Sequence, residues 1–340
     1  MFSSFYILTI TILILFCNRL FLKKNFLINE TGDRHQKFAS KSKIPLTGGI
    51  FLILGLFYYL NENIYSLILF SILILILGIF SDLKFIYSAK KRLIYQITIV
   101  LIFVIFNDLK ILNTKIYILD EILLNNYFNF VFVSFCILIV INGSNFLDGL
   151  NTLNVGYFLI ITLLIYFLNF NKVLIFEGYN LEYFALLLFI IFILNFFNKI
   201  YLGDSGSYVM GFIFSIFLIK LYILNQNISP FFIVLLLWYP SFETLFSIVR
   251  KNIMSKSPMK PDSNHLHQQI FFFIKKKFKI KTVYANLVTA NLINIYNVII
   301  FCISLNFIKN SQILVLLILL NLSLYIFIYF KLFVIRYKNI

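Results

Sequence analysis

Hydrophobic residues run through this chain in long, nearly unbroken blocks, with polar positions gathered into short interruptions between them. From Leu67 to Phe80 only Ser71 and Gly78 break the apolar run. Such a block shows neither the apolar and polar alternation of a barrel strand nor the one-sided stripe of a helix on a soluble core. It is apolar all round, and about 20 such residues in a helix match the hydrocarbon thickness of a bilayer. The pattern predicts eleven candidate spans, at 2–22, 48–60, 64–80, 94–106, 127–141, 154–170, 181–197, 206–224, 229–249, 284–307 and 311–334. Some are as short as thirteen residues, so the expected count is 10–11 transmembrane helices. The expected fold is all-α, a polytopic integral membrane protein forming one domain over 1–340.

Composition agrees and removes two other classes. Of the 340 residues 61% are hydrophobic and only 12% charged, whereas a soluble domain carries about a quarter charged residues and a disordered chain is poor in Leu, Ile and Phe. The charge is also lopsided, with 29 Lys and Arg against 13 Asp and Glu. With the N-terminus outside, 24 of the 29 basic residues fall in inner segments, the asymmetry of the positive-inside rule. The inner loops are then 23–47, 81–93, 142–153, 198–207 and 250–283, and the expected location is the cell (inner) membrane, multi-pass. The first apolar run has basic residues after it and none before it, the reverse of a cleavable signal, so it is expected to remain a span. The lysines of 275–281 read first as topogenic residues facing anionic headgroups of membrane lipids. No basic soluble domain exists to bind nucleic acid. Cys17, Cys136 and Cys302 lie in apolar runs without CxxC spacing and read as core residues.

Acidic residues have no topological explanation. Asp82, Asp148, Asp204 and Asp262 stand at inner span ends, Glu30 and Asp33 in the first inner loop and Glu243 within a span, while His35, His265 and His267 share that side. This distribution predicts one cytoplasm-facing site built from several loops. Asp82 precedes Lys84 and Lys90-Lys91-Arg92, which suits a phosphate held beside a metal ligand or, more plainly, a span end with topogenic lysines. The stretch Asn142-Gly-Ser-Asn145-Phe-Leu-Asp148-Gly149-Leu150-Asn151 can turn tightly and expose backbone N–H groups to a base or a phosphate. Its Asn-Gly-Ser sequon lies on the wrong side for glycosylation. Gly203-Asp204-Ser205-Gly206 carries one hard oxygen ligand of the kind Mg2+ prefers. The same tetrapeptide surrounds the nucleophile of trypsin-like proteases, but nothing here supplies the strands of that fold. Asp262, His265 and His267 could bind zinc or contact phosphate, and the spacing is not the helical HExxH of many catalytic zinc sites. Glu243, an acid inside a span, is expected to organise the cationic loop, to line an acceptor groove or to shape a kink at Pro240.

Taken in order, Arg34-His35, Ile44-Pro45-Leu46-Thr47-Gly48-Gly49, Gly78 to Gln96, Asn142 to Asn151, Tyr201 to Ser207, Pro240 to Arg250 and Asp262 to His267 resemble the motifs of the polyprenyl-phosphate N-acetylhexosamine-1-phosphate transferases. This superfamily includes the MraY translocase of peptidoglycan synthesis and the WecA-type initiators, and Asp262-Ser-Asn-His-Leu-His looks closer to the WecA-type form. The resemblance covers most of the chain. It implies transfer of N-acetylhexosamine 1-phosphate from a UDP-N-acetylhexosamine to polyprenyl phosphate, with release of UMP, as the first membrane step of cell-surface polysaccharide synthesis. It also implies Mg2+ as cofactor, with Mn2+ as a substitute. Carried over, the catalytic positions are Asp82, Asp148, Asp204 and His265, with Asp204 and Asp148 as metal ligands. Substrate contacts fall to Lys43, Arg92, Asn142, Asn145, Gly149, Leu150, Asn195, Arg250 and His267.

The chain departs from the family pattern at four positions. Ser81 replaces the first Asp of a paired motif, Asn151 the second Asp of the 148–151 pattern, Glu243 an Asp, and Gln268 the final His. The chemistry tolerates the first change, because a phosphate monoester with a second pKa near 6 is already an anionic nucleophile at neutral pH. Transfer without a dedicated base is therefore the expectation. The rivals are the MurNAc-pentapeptide phosphotransferase of peptidoglycan synthesis, a binding protein that has lost catalysis, and a multi-span secondary transporter. A transporter would show internal repeats and polar, broken spans at mid-membrane, and no clear repeat is visible.

Overall fold

Every apolar block folds as helix in the computed structural model, which describes residues 2–29, 43–59, 65–175, 180–255, 257–260 and 262–337. The motif Arg34-His35, together with Glu30 and Asp33, lies outside those residues. The helices are α1 (Phe2–Lys24), α2 (Gly48–Tyr59), α3 (Tyr65–Asp82), α4 (Ala89–Phe106), α5 (Tyr117–Leu123), α6 (Asn126–Leu147) and α7 (Leu153–Phe170). They continue with α8 (Leu181–Phe196), α9 (Gly203–Leu224), α10 (Pro230–Leu236), α11 (Trp238–Ile253), α12 (Leu266–Phe278), α13 (Thr282–Leu305) and α14 (Ser311–Tyr337). Six are long and apolar enough to cross a bilayer alone, and a seventh span results if α10 and α11 count as one. The protein is an all-α, multi-span membrane protein. Among the described residues the β pairing is a single bridge, Ile28 to Pro45.

Two boundaries differ from the sequence expectation. The 229–249 block is not one straight helix: it bends by 73° between α10 and α11, at Leu237. Pro240, in the first turn of α11, accounts for the break: it has no N–H to bond the Leu236 carbonyl four residues back, and its ring crowds that carbonyl. Tyr157 satisfies the Leu236 carbonyl at the break with a 2.7 Å hydrogen bond from its hydroxyl. The long inner loop 250–283 contains a helix of its own, α12. Leu266, Ile270, Phe271 and Ile274 give it one apolar face, and Lys275 to Lys277 favour its C-terminal dipole.

The bundle is built around α9. Of its span 83% is buried inside the protein, against 22% for α14, which faces lipid over most of its surface. Helices α2, α3 and α6 pack directly on α9. Close approach rests on small residues, as expected where lipid offers no hydrophobic drive to association. A Cβ on Gly78 of α3 would lie 2.6 Å from the Ser205 nitrogen, and one on Gly49 of α2 would lie 2.7 Å from the Gly206 nitrogen. The C-terminal ends of α3, α6, α8 and α11 and the N-terminal ends of α4, α7, α9 and α12 gather at one end of the bundle, where Asp82, Asp148, Asp204 and Asp262 stand.

Candidate active site

The site starts from the N-terminus of α9. Gly203 has φ +69°, a left-handed conformation natural to glycine, and a Cβ at this position would stand 2.8 Å from an Asp82 carboxylate oxygen. Asp82, the last residue of α3, accepts hydrogen bonds from the Asp204 N–H (2.9 Å, Oδ1) and the Ser205 N–H (3.1 Å, Oδ2). Its carboxylate thus caps α9 from a neighbouring helix, paired with otherwise orphaned donors at the positive end of the dipole. Loss of this cap in Asp82→Ala is expected to cost about 1–2 kcal/mol, read as a lowered thermal midpoint of the purified protein, and Asp82→Asn should recover part of it. Equal stability of Ala and wild type would remove the capping role.

Asp204 lies in the first turn of α9. Its Oδ2 accepts from Arg92 Nη1 at 2.6 Å, from the Ser81 hydroxyl in a short hydrogen bond, and from the Tyr208 hydroxyl at 3.4 Å, whereas Oδ1 carries none of these bonds. Ser81 Oγ also accepts from Arg92 Nη1 at 2.6 Å. The neutral Ser81 therefore bridges guanidinium and carboxylate where the family pattern has an acid. Of the three consecutive cations only Arg92 reaches Asp204. Lys90 and Lys91 are exposed, because all three sit in the opening turns of α4, where successive side chains point about 100° apart.

Asp148 caps the C-terminus of α6. Burial, with the Asp82 and Asp204 charges nearby, pushes its carboxyl well above the usual carboxylate range. The residues Asn142 to Leu147 are helical, not a loop. Asn142 donates to Gln96 Oε1 at 3.2 Å, and Asn145 accepts from the Ser207 hydroxyl at 3.0 Å. Asn195 is a clamp between loops: its Oδ1 accepts from the Thr152 N–H at 2.5 Å and its Nδ2 donates to the Ile200 carbonyl at 2.9 Å.

A second polar cluster stands beside the first. His265 opens α12, and Gln268 accepts from its backbone N–H at 3.2 Å, closing a capping box. The position that departs from the triple-histidine form therefore holds the helix start. His265 Nδ1 lies 2.9 Å from Glu243 Oε1, and Tyr325 of α14 donates to Glu243 Oε2 at 2.8 Å. Glu243 thus organises the histidine loop and ties it to α14. Phe146 packs on the His265 ring at 4.4 Å. Arg250 pairs with Asp262 at 2.7 Å. Although burial acts the other way, Arg250, His265 and Lys251 together hold Asp262 below the ordinary carboxylate range.

These groups border a cavity of about 770 Å³, within the range of small-molecule sites. Asp82, Arg92, Asn142, Asn145, Asp148, Gly149, Asn195, Asp204 and His265 all line it. The bridged segments around Leu27 and Leu46, leaning on Tyr201, form one wall. Lys43, Leu150, Arg250 and His267 are not part of the lining. Lys43 donates to Asn25 Oδ1 at 2.8 Å, Leu150 is buried, and Arg250 is occupied by Asp262. His267 is fully buried beneath Gly149, its Nε2 being 3.1 Å from where a Cβ would stand, and burial pulls its pKa down to about 3. Sequence reasoning read Ser81 only as a missing acid, and passed over Gln96 and Tyr208 as site residues. Tyr208 follows Asp204 by four residues and Gln96 follows Arg92 by four, so the i, i+4 relation alone would have put each pair on one helix face.

The donor set bears on the metal expectation. Among the described residues no three His, Cys, Asp or Glu side chains form a metal-holding group. An all-protein cage, zinc included, finds no support in that set. Two carboxylates, Asp204 with an uncommitted Oδ1 and Asp148, instead fit Mg2+, which commonly takes one or two carboxylates and completes its shell with phosphate oxygens and water.

A family model described as glycosyl transferase family 4 matches residues 64–222, from the start of α3 almost to the end of α9, and so takes in Asp82, Arg92, Asp148 and Asp204. The chain is 27% identical over 243 residues to the probable undecaprenyl-phosphate N-acetylglucosaminyl 1-phosphate transferase of Bacillus subtilis, over 68% of this chain and 66% of that protein. It is 26% identical over 240 residues to the undecaprenyl-phosphate alpha-N-acetylglucosaminyl 1-phosphate transferase of Thermotoga maritima, over 70% and 71% of the two chains. A shorter match, 28% over 152 residues, covers 38% of this chain and 37% of the decaprenyl-phosphate N-acetylglucosaminephosphotransferase of Mycolicibacterium smegmatis. Fold and matches together describe a multi-span membrane protein similar, over residues 64–222, to glycosyl transferase family 4. The relatives matched over about two thirds of this chain are, by name, undecaprenyl-phosphate N-acetylglucosaminyl 1-phosphate transferases, at 26–27% identity.

Proposed function

We propose that the protein transfers N-acetylglucosamine 1-phosphate, or the 1-phosphate of a closely related N-acetylhexosamine, from a UDP-sugar to polyprenyl phosphate at the cytoplasmic face of the cell membrane, in the manner of the WecA-type branch. The observation that carries this reading is the convergence of Arg92, Asp204 and Asp148 on one cavity at the end of a membrane bundle. A lipid phosphate can reach that end while its tail stays in hydrocarbon, and a soluble nucleotide can enter from water. Support for the cytoplasmic side comes from the basic residues, 24 of 29 of which fall in the sequence segments that the positive-inside rule makes inner.

In the reaction an oxygen of the acceptor phosphate bonds to the phosphorus that bears the sugar, the bond between that phosphorus and the bridging oxygen breaks, and UMP leaves carrying that oxygen. Catalysis of this kind is alignment and charge neutralisation. Arg92 supplies a fixed cation in the cavity, oriented by Asp204 and Ser81. Asp82 acts as a positioning residue, since both of its oxygens are spent on the start of α9. His265 is held at the cavity wall by its Nδ1 contact with Glu243, and when both ring nitrogens carry a proton its Nε2–H can be donated to a phosphate oxygen. Asp204 and Asp148 would hold Mg2+, which when bound neutralises charge on the donor diphosphate. No side chain is assigned as a base, because the acceptor is already ionised at neutral pH.

The test is direct. Membranes containing the protein, given labelled UDP-N-acetylglucosamine and undecaprenyl phosphate with Mg2+, should yield a lipid-linked sugar and UMP in equal amounts. No lipid product from any donor in a panel of UDP-N-acetylhexosamines would overturn the proposal.

A further inference from the structure

A second cavity, of about 780 Å³, lies between α12, α13 and α14. Phe273 and Phe278 of α12, Leu292 of α13, and Leu324 and Ile328 of α14 form its walls, and Trp238 closes its deep end. Phe278, Leu292 and Leu324 are exposed, so the slot opens sideways to whatever surrounds the bundle. Along α14 its lining runs from Asn321 to Leu332, twelve residues, whose eleven rises of about 1.5 Å span about 16 Å. That is close to half of the roughly 30 Å hydrocarbon core, the depth of one leaflet.

The charge at the shallow end is one-sided. Lys277 Nζ stands 5.4 Å from the Phe273 ring and 5.6 Å from the Phe278 ring, both of them slot walls. Lys275, Lys276, Lys279 and Lys281 surround it and are exposed, and Lys331 of α14 is exposed one residue before Leu332. No acidic residue follows Asp262 in the sequence, and Asp262 is paired with Arg250. Five lysines within seven residues thus stand at the mouth of an apolar slot, and among the described residues no carboxylate forms a salt bridge with them.

We propose that this slot binds an anionic glycerophospholipid of the leaflet that contains the active site. One acyl chain lies along the slot, and the headgroup phosphate sits on Lys277 and the lysines beside it. The assignment is independent of the transferase reading. It commits to a phospholipid because the slot is one leaflet deep and its cations stand at the headgroup level, where lysines attract anionic lipid.

Trp238 is the single tryptophan of the chain and lines the slot, so it reports occupancy without labelling. The full-length protein would be placed in phosphatidylcholine nanodiscs carrying a small fraction of lipid with brominated acyl chains, either phosphatidylglycerol or phosphatidylcholine at equal mole fraction. Brominated phosphatidylglycerol is expected to quench Trp238 at least twofold more than its phosphatidylcholine counterpart. Combining Lys275→Gln, Lys276→Gln and Lys277→Gln, all on an exposed helix end, should abolish that preference while the helical circular dichroism is unchanged. Equal quenching by the two lipids in the wild type would overturn the proposal without recourse to any variant. So would release of quenching by polyprenyl phosphate but not by unbrominated phosphatidylglycerol, which would give the slot to the acceptor. Because no turnover is measured, failure here and failure of the transferase assay are separate results.

Discussion

Asp204→Asn is expected to lower the rate of lipid-linked product formation by about 10²–10³ while leaving the protein folded. The substitution keeps the size of the side chain and an oxygen able to accept from Arg92 and Ser81, so the local geometry survives. What it removes is the negative charge that orients Arg92 and, in the proposed reaction, half of the carboxylate pair offered to a divalent ion. Loss of one preorganised electrostatic contact of this kind commonly costs about 3–4 kcal/mol in the transition state. The measurement is initial rate in membranes at matched protein level, with the thermal midpoint of the purified variant as the folding control. More Mg2+ should not restore the rate. A variant within tenfold of wild type would take Asp204 out of the chemistry.

Gly78→Ala should be nearly as damaging although it adds a single methyl group to a residue without function of its own. The new carbon would lie 2.6 Å from the Ser205 nitrogen and 3.0 Å from the Asp204 carbonyl carbon, and both neighbours are backbone. No rotamer change relieves such a clash, so α3 and α9 must separate. Overpacking in a core costs about 1–3 kcal/mol, and this contact belongs at the upper end. Separation would also pull Asp82 from the helix start that it caps, and a misplacement of about 1 Å at a reacting centre can cost 10² in rate. Gly55→Ala provides the comparison, since its neighbours are only side-chain atoms of Leu187, which can rotate away. Its stability loss, measured by thermal denaturation in the same detergent, should be clearly smaller. Equal losses would mean that backbone contact between α3 and α9 is not what matters.

Much of this architecture was visible in the pattern of residues. A helix apolar all round announces itself by length and composition, so blocks such as 154–170 and 311–334 predicted α7 and α14 closely. The acids at span ends also came together, because Asp82, Asp148 and Asp204 all stand where helices meet the same face. What could not be read was which partner each would take. That Asp82 caps α9 depends on Gly78 letting two backbones touch, a contact between residues more than a hundred positions apart. That Tyr157, from another helix, would take the Leu236 carbonyl left free by Pro240 could not be read either. Helix α12 was hidden inside a loop because it is amphipathic and too short to resemble a span. The burial of His267 followed from the start of α12 beneath Gly149, which no motif records.

The tie between Tyr325 and Glu243 has a consequence for the order in which the site comes into being. The Asp82, Arg92, Asp148 and Asp204 cluster is complete once α9 has formed. The histidine half is not: Glu243 is held from α14, and Arg336 of the same helix donates to the Ser263 carbonyl at 2.8 Å. During synthesis α14 leaves the ribosome after all the other described helices. A nascent chain therefore owns its acidic cluster well before His265 is locked at the cavity wall, and the two halves mature at different times in the life of the molecule.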